Sequence, residues 1–143
     1  MRLLVETVAA FLGVAAFAVL FRVPVKSVVP AGLAGATSWG IYSALLETGM
    51  SRFAAGFASA ATLSALAEWG AKRLRIPVSI LVVPGIIPLV PGADAYFAML
   101  AFVQGQDQEG LRIAVQTMLA ALSVAAGIVT ASTLVRSVRQ RER

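Results

Sequence analysis

Apolar residues form five long runs along the chain, separated by short stretches that contain charged or helix-breaking residues. The runs cover residues 3–20, 27–46, 53–69, 76–103 and 113–134. Each is close to, or longer than, the roughly 20 residues that an α-helix needs to cross a bilayer. Only helices and closed barrels satisfy their backbone polar groups in hydrocarbon. The pattern therefore predicts an all-α integral membrane protein of one domain with about five transmembrane helices.

The fourth run is interrupted by helix-breaking residues. Its central part, VPGIIPLVPG at residues 83–92, contains three prolines and two glycines among aliphatic residues. Pro84, Pro88 and Pro91 lack an N–H, so the carbonyls of earlier residues lose their helical partners. These carbonyls belong to Ile80, Pro84 and Ile87. We therefore expect two half-helices that meet at a break near residues 84–92.

This break is the main candidate for a functional site. In secondary transporters, broken helices present half-helix N-termini to anionic groups, and freed carbonyls to cations or water. The alternative is a kink that neighbouring helices pack and satisfy. The candidate substrate or coupling residues are Pro84, Gly85, Pro88, Pro91, Gly92, Asp94, Tyr96 and Glu68.

Three of these side chains have a second explanation. Asp94 is either the N-cap of the second half-helix or a coupling carboxylate. Tyr96 either lines a substrate path or hydrogen-bonds a neighbouring helix. Glu68 precedes Lys72 by four residues, which favours a surface ion pair over a coupling role.

Basic residues alternate between the two ends of the predicted helices. One side receives Arg22, Lys26, Lys72, Arg73, Arg75, Arg136, Arg139, Arg141 and Arg143, and the other receives Arg2, Arg52 and Arg112. Loops rich in Lys and Arg stay in the cytoplasm. The sequence thus predicts an N-terminus outside and a basic cytoplasmic tail at residues 135–143. Arg22 and Lys26 either set topology alone or attract an anionic substrate to the cytoplasmic side.

Composition narrows the classes of function. Hydrophobic residues make up 59% of the chain and charged residues 13%, against about half and a quarter in soluble domains. The chain contains no Cys and no His, which excludes disulfides, Cys/His zinc sites and His-based triads. Neither a Gly-rich phosphate loop nor a nucleophile–base pair is visible. We expect no enzyme activity, no cofactor, no metal and no nucleic-acid partner.

Small residues recur at four-residue spacing in three of the runs, which lets helix backbones approach closely in lipid. The pairs and triplets are Ala31–Gly35, Ala55–Ser59 or Gly56–Ala60, and Ser123–Gly127–Ala131. These seams predict a tight bundle or an oligomer. Glu6, within the first run, argues against a cleaved secretory signal, so we expect that helix to be retained.

Two motifs, FRVPVKSV at residues 21–28 and IPLVPGADAYFAML at residues 87–100, resemble the threonine/serine exporter family. More narrowly, the chain resembles the small, single-repeat YjjB-type membrane subunit, which works with a larger subunit in dicarboxylate export. Asp94 stands where the resemblance implies a small polar residue such as Ser. A carboxylate there repels a dicarboxylate unless it is paired or protonated.

The resemblance implies a subunit of a secondary active exporter in the bacterial inner membrane. The implied substrates are small organic acids or hydroxy amino acids, succinate-like or threonine/serine-like, and thus anionic or zwitterionic. The implied partner is a larger membrane subunit of the same family, a further copy of the chain, or both. Two other functions stay open, a non-transporting structural subunit and a homo-oligomeric channel.

Overall fold

The computed structural model describes residues 1–141, which form helices joined by short turns. The α-helices are α1 (Arg2–Leu20), α2 (Val25–Glu47), α3 (Arg52–Leu74), α4 (Ser79–Gly85), α5 (Gly92–Val103) and α6 (Asp107–Arg141). A 3-10 turn, Ile87–Leu89, lies between α4 and α5. Residues 1–141 contain no β-strand. The all-α prediction is therefore confirmed, and the fourth run is the broken one.

Helices α1, α2 and α3 pack in sequence order, and α4 contacts all three. The core around α4 is built mainly from small side chains, with Leu81 of α4 packed among Val14, Ala31, Ala67 and Ala71. Small residues allow the backbones to approach closely, which is how helices associate without a hydrophobic driving force in lipid. The short helix α4 is thus the inner element of this part of the bundle.

The broken segment runs antiparallel to α3 along most of its length. A Cβ placed on Gly70, near the end of α3, would lie 3.1 Å from Leu81 Cδ1. Leu63, in the middle of α3, approaches Gly85. Arg52, the first residue of α3, contacts Asp94. The broken segment therefore extends from one end of α3 to the other.

Helix α6 changes its packing partner along its length. Its C-terminal half lies on α3, where Gly127 meets the backbone at Phe57 and Ser64 Oγ donates to the Ile128 carbonyl at 3.2 Å. Its N-terminal half lies on α5, where the Phe102 ring covers Gly110. Gly56 closely approaches Ser123 Oγ, so the small-residue seams of these two runs face each other.

Two helices, α1 and α6, are long and apolar enough to cross a membrane. The α4–α5 pair, bent by 50° at the break, is a third crossing if it counts as one span. Helices α2 and α3 have 23 residues each, but their inner faces are rich in Gly, Ala and Ser. Within residues 1–141, the predicted count of about five is therefore not confirmed.

Two of the observed helices extend several residues beyond the ends of the predicted apolar runs. Helix α3 continues to Leu74 and includes the basic residues Lys72 and Arg73. Helix α6 continues to Arg141, so most of the predicted tail at residues 135–143 extends the last helix. Residues 142–143 lie outside the described part of the chain.

Candidate functional site

The first half of the break is packed inside the protein. Pro84 and Gly85 are buried, and a Cβ on Gly85 would lie 2.7 Å from Leu63 Cδ1. On the other side, a Cβ on Gly35 would lie 2.6 Å from Val14 Cγ2 and 3.2 Å from the Gly85 carbonyl oxygen. These contacts satisfy the requirement that broken backbone be covered by protein. Pro84 and Gly85 are therefore enclosed by neighbouring helices and do not line the cavity described below.

The backbone at the break forms short-range hydrogen bonds. The Leu89 N–H donates to the Ile86 carbonyl at 2.8 Å, and the Val90 N–H donates to the Ile87 carbonyl at 3.3 Å. The Ile87 carbonyl thus lacks its α-helical partner, as predicted, and is satisfied within the protein by the Val90 N–H. In a 3-10 turn each carbonyl accepts from the N–H three residues later. The Ile87 carbonyl therefore pairs with Val90 and does not depend on Pro91, which has no N–H.

The second half of the break forms one wall of a cavity of about 270 Å³. Helices α2, α3, α5 and α6 supply the rest of its lining. The lining residues are Trp39, Tyr42, Arg52, Gly56, Pro88, Leu89, Val90, Pro91, Gly92, Ala93, Asp94, Ala120, Ser123 and Val124. Four of the residues predicted from sequence, Pro88, Pro91, Gly92 and Asp94, are thus brought together here.

An ion pair joins α3 to α5 at this cavity. Arg52 Nη2 donates to Asp94 Oδ2 at 3.0 Å. The Asp94 side chain is 29% exposed and that of Arg52 59%. Arg52 is held at the start of α3, where Ser51 Oγ caps the helix by accepting from the Ala54 N–H at 3.3 Å. A positive and a negative group therefore lie side by side in one cavity wall.

Asp94 is not the N-cap of α5. The helix begins at Gly92, Pro91 occupies the cap position, and Asp94 lies within the first turn. A reciprocal capping box requires an N–H at the cap residue, and Pro91 has none. The carboxylate instead accepts from Arg52. Its position in the first turn still favours negative charge through the helix dipole.

Tyr96 and Glu68 lie away from the cavity. Tyr96 is 62% exposed and packs edge-to-face on Phe97, with ring centroids 5.5 Å apart. Glu68 is only 3% exposed, so the prediction of a surface ion pair places it wrongly. The physical reason is that Ser64, Ala67, Glu68 and Ala71 share the inward face of α3.

The structure also separates Arg22 and Lys26 from the cavity. Both are exposed at the connection between α1 and α2. Trp39 and Tyr42 lie more than about three turns further along α2. The two basic side chains therefore face a different end of the bundle from the Arg52–Asp94 pair.

The polar or aromatic cavity residues without a site role in the sequence-based prediction are Trp39, Tyr42, Arg52 and Ser123. Trp39 and Tyr42 are three apart on α2, and their rings pack with centroids 5.5 Å apart. This spacing places both rings on one helix face, and it is the only local signal for them. Arg52 was assigned to topology alone, because its partner lies 42 positions away.

The lining can hold a small polar solute by ion pairing, hydrogen bonding and stacking. Arg52 donates hydrogen bonds, Asp94 accepts them, and the hydroxyls of Tyr42 and Ser123 do both. Trp39 offers an aromatic face. The volume of about 270 Å³ is below the roughly 300–1,000 Å³ of pockets for drug-sized ligands. The cavity therefore fits a small solute.

Comparison with known proteins places these elements in one family. The family model described as "Threonine/Serine exporter, ThrE" matches residues 6–134. The match includes all but the first few residues of α1, the whole broken segment and every residue that lines the cavity. No solved structure matches the chain. The chain belongs to the threonine/serine exporter family, ThrE, and is a membrane protein of exporter type.

Proposed function

We propose that this chain is a subunit of a secondary active exporter of small organic acids or hydroxy amino acids, and that the cavity at the proline break is its substrate site. Membership of the exporter family supports the transport role. The observation that carries the site is the cavity itself, because its wall contains the second half of the break and the Arg52–Asp94 pair.

The broken segment is the element that changes shape during transport. Its two helices are inclined by 50°, and the turn between them lacks a continuous α-helical hydrogen-bond ladder. Its first half is fixed among α1, α2 and α3, while its second half faces the cavity. A rotation about residues 86–91 would therefore reshape the cavity wall and leave the packed core in place.

The charge pattern supports export from the cytoplasm across the bacterial inner membrane. In the proposed five-crossing topology the N-terminus is outside and the C-terminus is cytoplasmic. The cavity then lies toward the outer end of α3, and Arg22 and Lys26 lie on the cytoplasmic side. There they would concentrate anionic or zwitterionic substrate at the entrance.

Glu68 is the proposed coupling residue, because a buried carboxyl group within a membrane bundle is a natural proton carrier. Replacing Glu68 with Gln should reduce substrate export that is driven by a proton gradient, and it should spare exchange between substrate pools on the two sides. The exposed carboxylate Glu109 provides the control as Glu109→Gln. Equal loss of gradient-driven flux and exchange in Glu68→Gln would assign Glu68 to folding instead.

A larger membrane subunit of the same family, or a further copy of this chain, completes the proposed transport path. The outer face of α5 exposes Tyr96, Phe97, Met99, Phe102 and Val103. Phe102 also packs against Gly110 of α6, whereas the other four side chains are each more than half exposed. This large apolar face is available for lipid or for a partner helix.

Reconstitution tests the proposal directly. The chain is placed in liposomes alone or together with the larger family subunit, and efflux of labelled threonine, serine and succinate is measured. We expect saturable efflux of at least one solute, and loss of that efflux on Trp39→Ala. The structural-subunit alternative predicts a different result. Substitutions at Trp39 and Pro88 would leave efflux unchanged, although the transport complex would not assemble without this chain. Single-channel currents from the chain alone would support the channel.

A further inference from the structure

We infer that Arg52 and Asp94 form a two-charge recognition site that accepts a zwitterion, such as an α-amino acid, and rejects a dianion. The inference rests on the proposed function, since it names the substrate class of the same cavity. The ion pair then has two roles. It links α3 to α5 when the cavity is empty, and it binds the substrate when the cavity is occupied.

Two features of the pair support recognition over simple structural bracing. Both side chains line the cavity, so a solute there meets the guanidinium and the carboxylate together. Both side chains also keep part of their surface exposed. Exposed ion pairs contribute little to stability, so this one is readily exchanged for contacts with a ligand.

The charges of a zwitterion match those of the pair in number and sign. Its carboxylate would replace Asp94 at the Arg52 guanidinium, and its ammonium would replace Arg52 at the Asp94 carboxylate. After this exchange every charge still has a partner, so no unpaired charge is left in the cavity. The direct link between α3 and α5 is then carried through the ligand.

A dianion cannot make the same exchange. One carboxylate would bind Arg52, while Asp94 would lose its partner and face the negative ligand. An unpaired charge in a partly enclosed site is strongly unfavourable. The cavity therefore discriminates by repulsion at Asp94 as well as by attraction at Arg52, as specific sites commonly do.

Tryptophan fluorescence measures this discrimination without a transport assay. The chain has two tryptophans, and Trp69→Phe leaves Trp39, in the cavity wall, as the sole reporter. The purified full chain is titrated with L-threonine, with its methyl ester, with 3-hydroxybutyrate and with succinate. We expect threonine to bind roughly tenfold or more tightly than the other three, since each of them lacks at least one charge-assisted hydrogen bond that threonine makes.

Substitutions then assign the two charges. Arg52→Gln should weaken threonine binding by roughly tenfold and bring its affinity close to that of the methyl ester. Asp94→Asn should reduce the preference for threonine over succinate, and Asp94→Glu should retain it. Arg112→Gln is the matched control, because it removes the Glu109–Arg112 ion pair, which lies outside the cavity. Thermal unfolding of each variant identifies any that fails to fold.

The inference is overturned if succinate binds as tightly as threonine, if Trp39 responds to none of the four solutes, or if folded Arg52 and Asp94 variants keep the parent's preference. A failure of the proposed function is distinguishable from these results. Threonine binding at Trp39 without any flux in liposomes contradicts the export role alone. Flux whose selectivity ignores Arg52 and Asp94 contradicts this inference alone.

Discussion

Gly35 lies where α1, α2 and the broken segment approach one another. Its missing side chain leaves room for Val14 on one side and for the Gly85 carbonyl on the other. Gly13 is also within a helix, but no atom lies within 4 Å of the position that its Cβ would occupy. The two glycines therefore share a helical setting and differ in their surroundings.

Alanine substitutions at these positions should have opposite effects. Gly13→Ala should leave stability unchanged or raise it by up to about 1 kcal/mol, through helix propensity. Gly35→Ala should lower stability by about 1–3 kcal/mol, because Val14 and the Gly85 backbone must move. Thermal unfolding in detergent, followed by circular dichroism, measures both. A Gly35→Ala protein at least as stable as Gly13→Ala would contradict the close packing at the break.

Sequence reasoning at the residue scale worked where the signal is local. Small residues four apart predicted the packing seams of α3 and α6, because that spacing places them on one face of each helix. The Asp94 cap prediction failed because helix α5 begins at Gly92, earlier than a capping Asp94 requires. The Arg52–Asp94 pair depends on how α3 and α5 are placed, and no spacing in the chain encodes that.

At the scale of elements, the broken segment combines a packed half and an open half. Pro84 and Gly85 fix the first half in the core, and Pro88 and Pro91 shape the second half around the cavity. Pro30 gives a useful comparison, because it lies inside α2 and outside the cavity lining. A proline is therefore tolerated within α2 without ending the helix.

Replacing Pro88 and Pro91 together with alanine should impair transport by about tenfold or more. Each change favours helix by up to about 3 kcal/mol, so α4 would extend into the break and alter the cavity wall. A bias of only about 1.4 kcal/mol between two conformations already changes their ratio tenfold. Efflux from liposomes measures the effect, with Pro30→Ala as the control. A double variant that transports at the parent rate would show that the break has no mechanical role.

The break was predictable because each proline lacks a backbone N–H and therefore interrupts the helix at its own position. Its location within residues 84–92 follows from the same chemistry. The number of spans was not predictable in the same way. Helices α2 and α3 use Gly, Ala and Ser to pack against their neighbours, and this composition lowers the hydropathy by which spans are recognised.

At the scale of the whole molecule, α6 joins two parts of the bundle. Its 35 residues form a rod of roughly 52 Å at about 1.5 Å per residue. This exceeds the roughly 30 Å of a bilayer's hydrocarbon core. Its two halves pack on α5 and α3 respectively, so a tilt of α6 would change the space between those helices, where the cavity lies.

The five-crossing topology is testable because the chain has no native cysteine. A membrane-impermeant maleimide should label Gln106→Cys, between α5 and α6, in intact cells. It should label Lys26→Cys, at the start of α2, only after the membrane is permeabilised. Labelling of both positions from the same side would contradict a crossing by the broken segment.

The most direct test of the central claim is substrate protection of a cysteine in the cavity. Ser123 lines the cavity and donates to the Ala120 carbonyl at 2.7 Å, whereas Ser132 makes the equivalent bond to Val129 at 3.0 Å outside it. In Ser123→Cys, a thiol reagent should block efflux, and the transported solute should slow labelling. Ser132→Cys should show neither effect. Full labelling of Ser123→Cys with unchanged efflux would contradict a substrate site at the proline break.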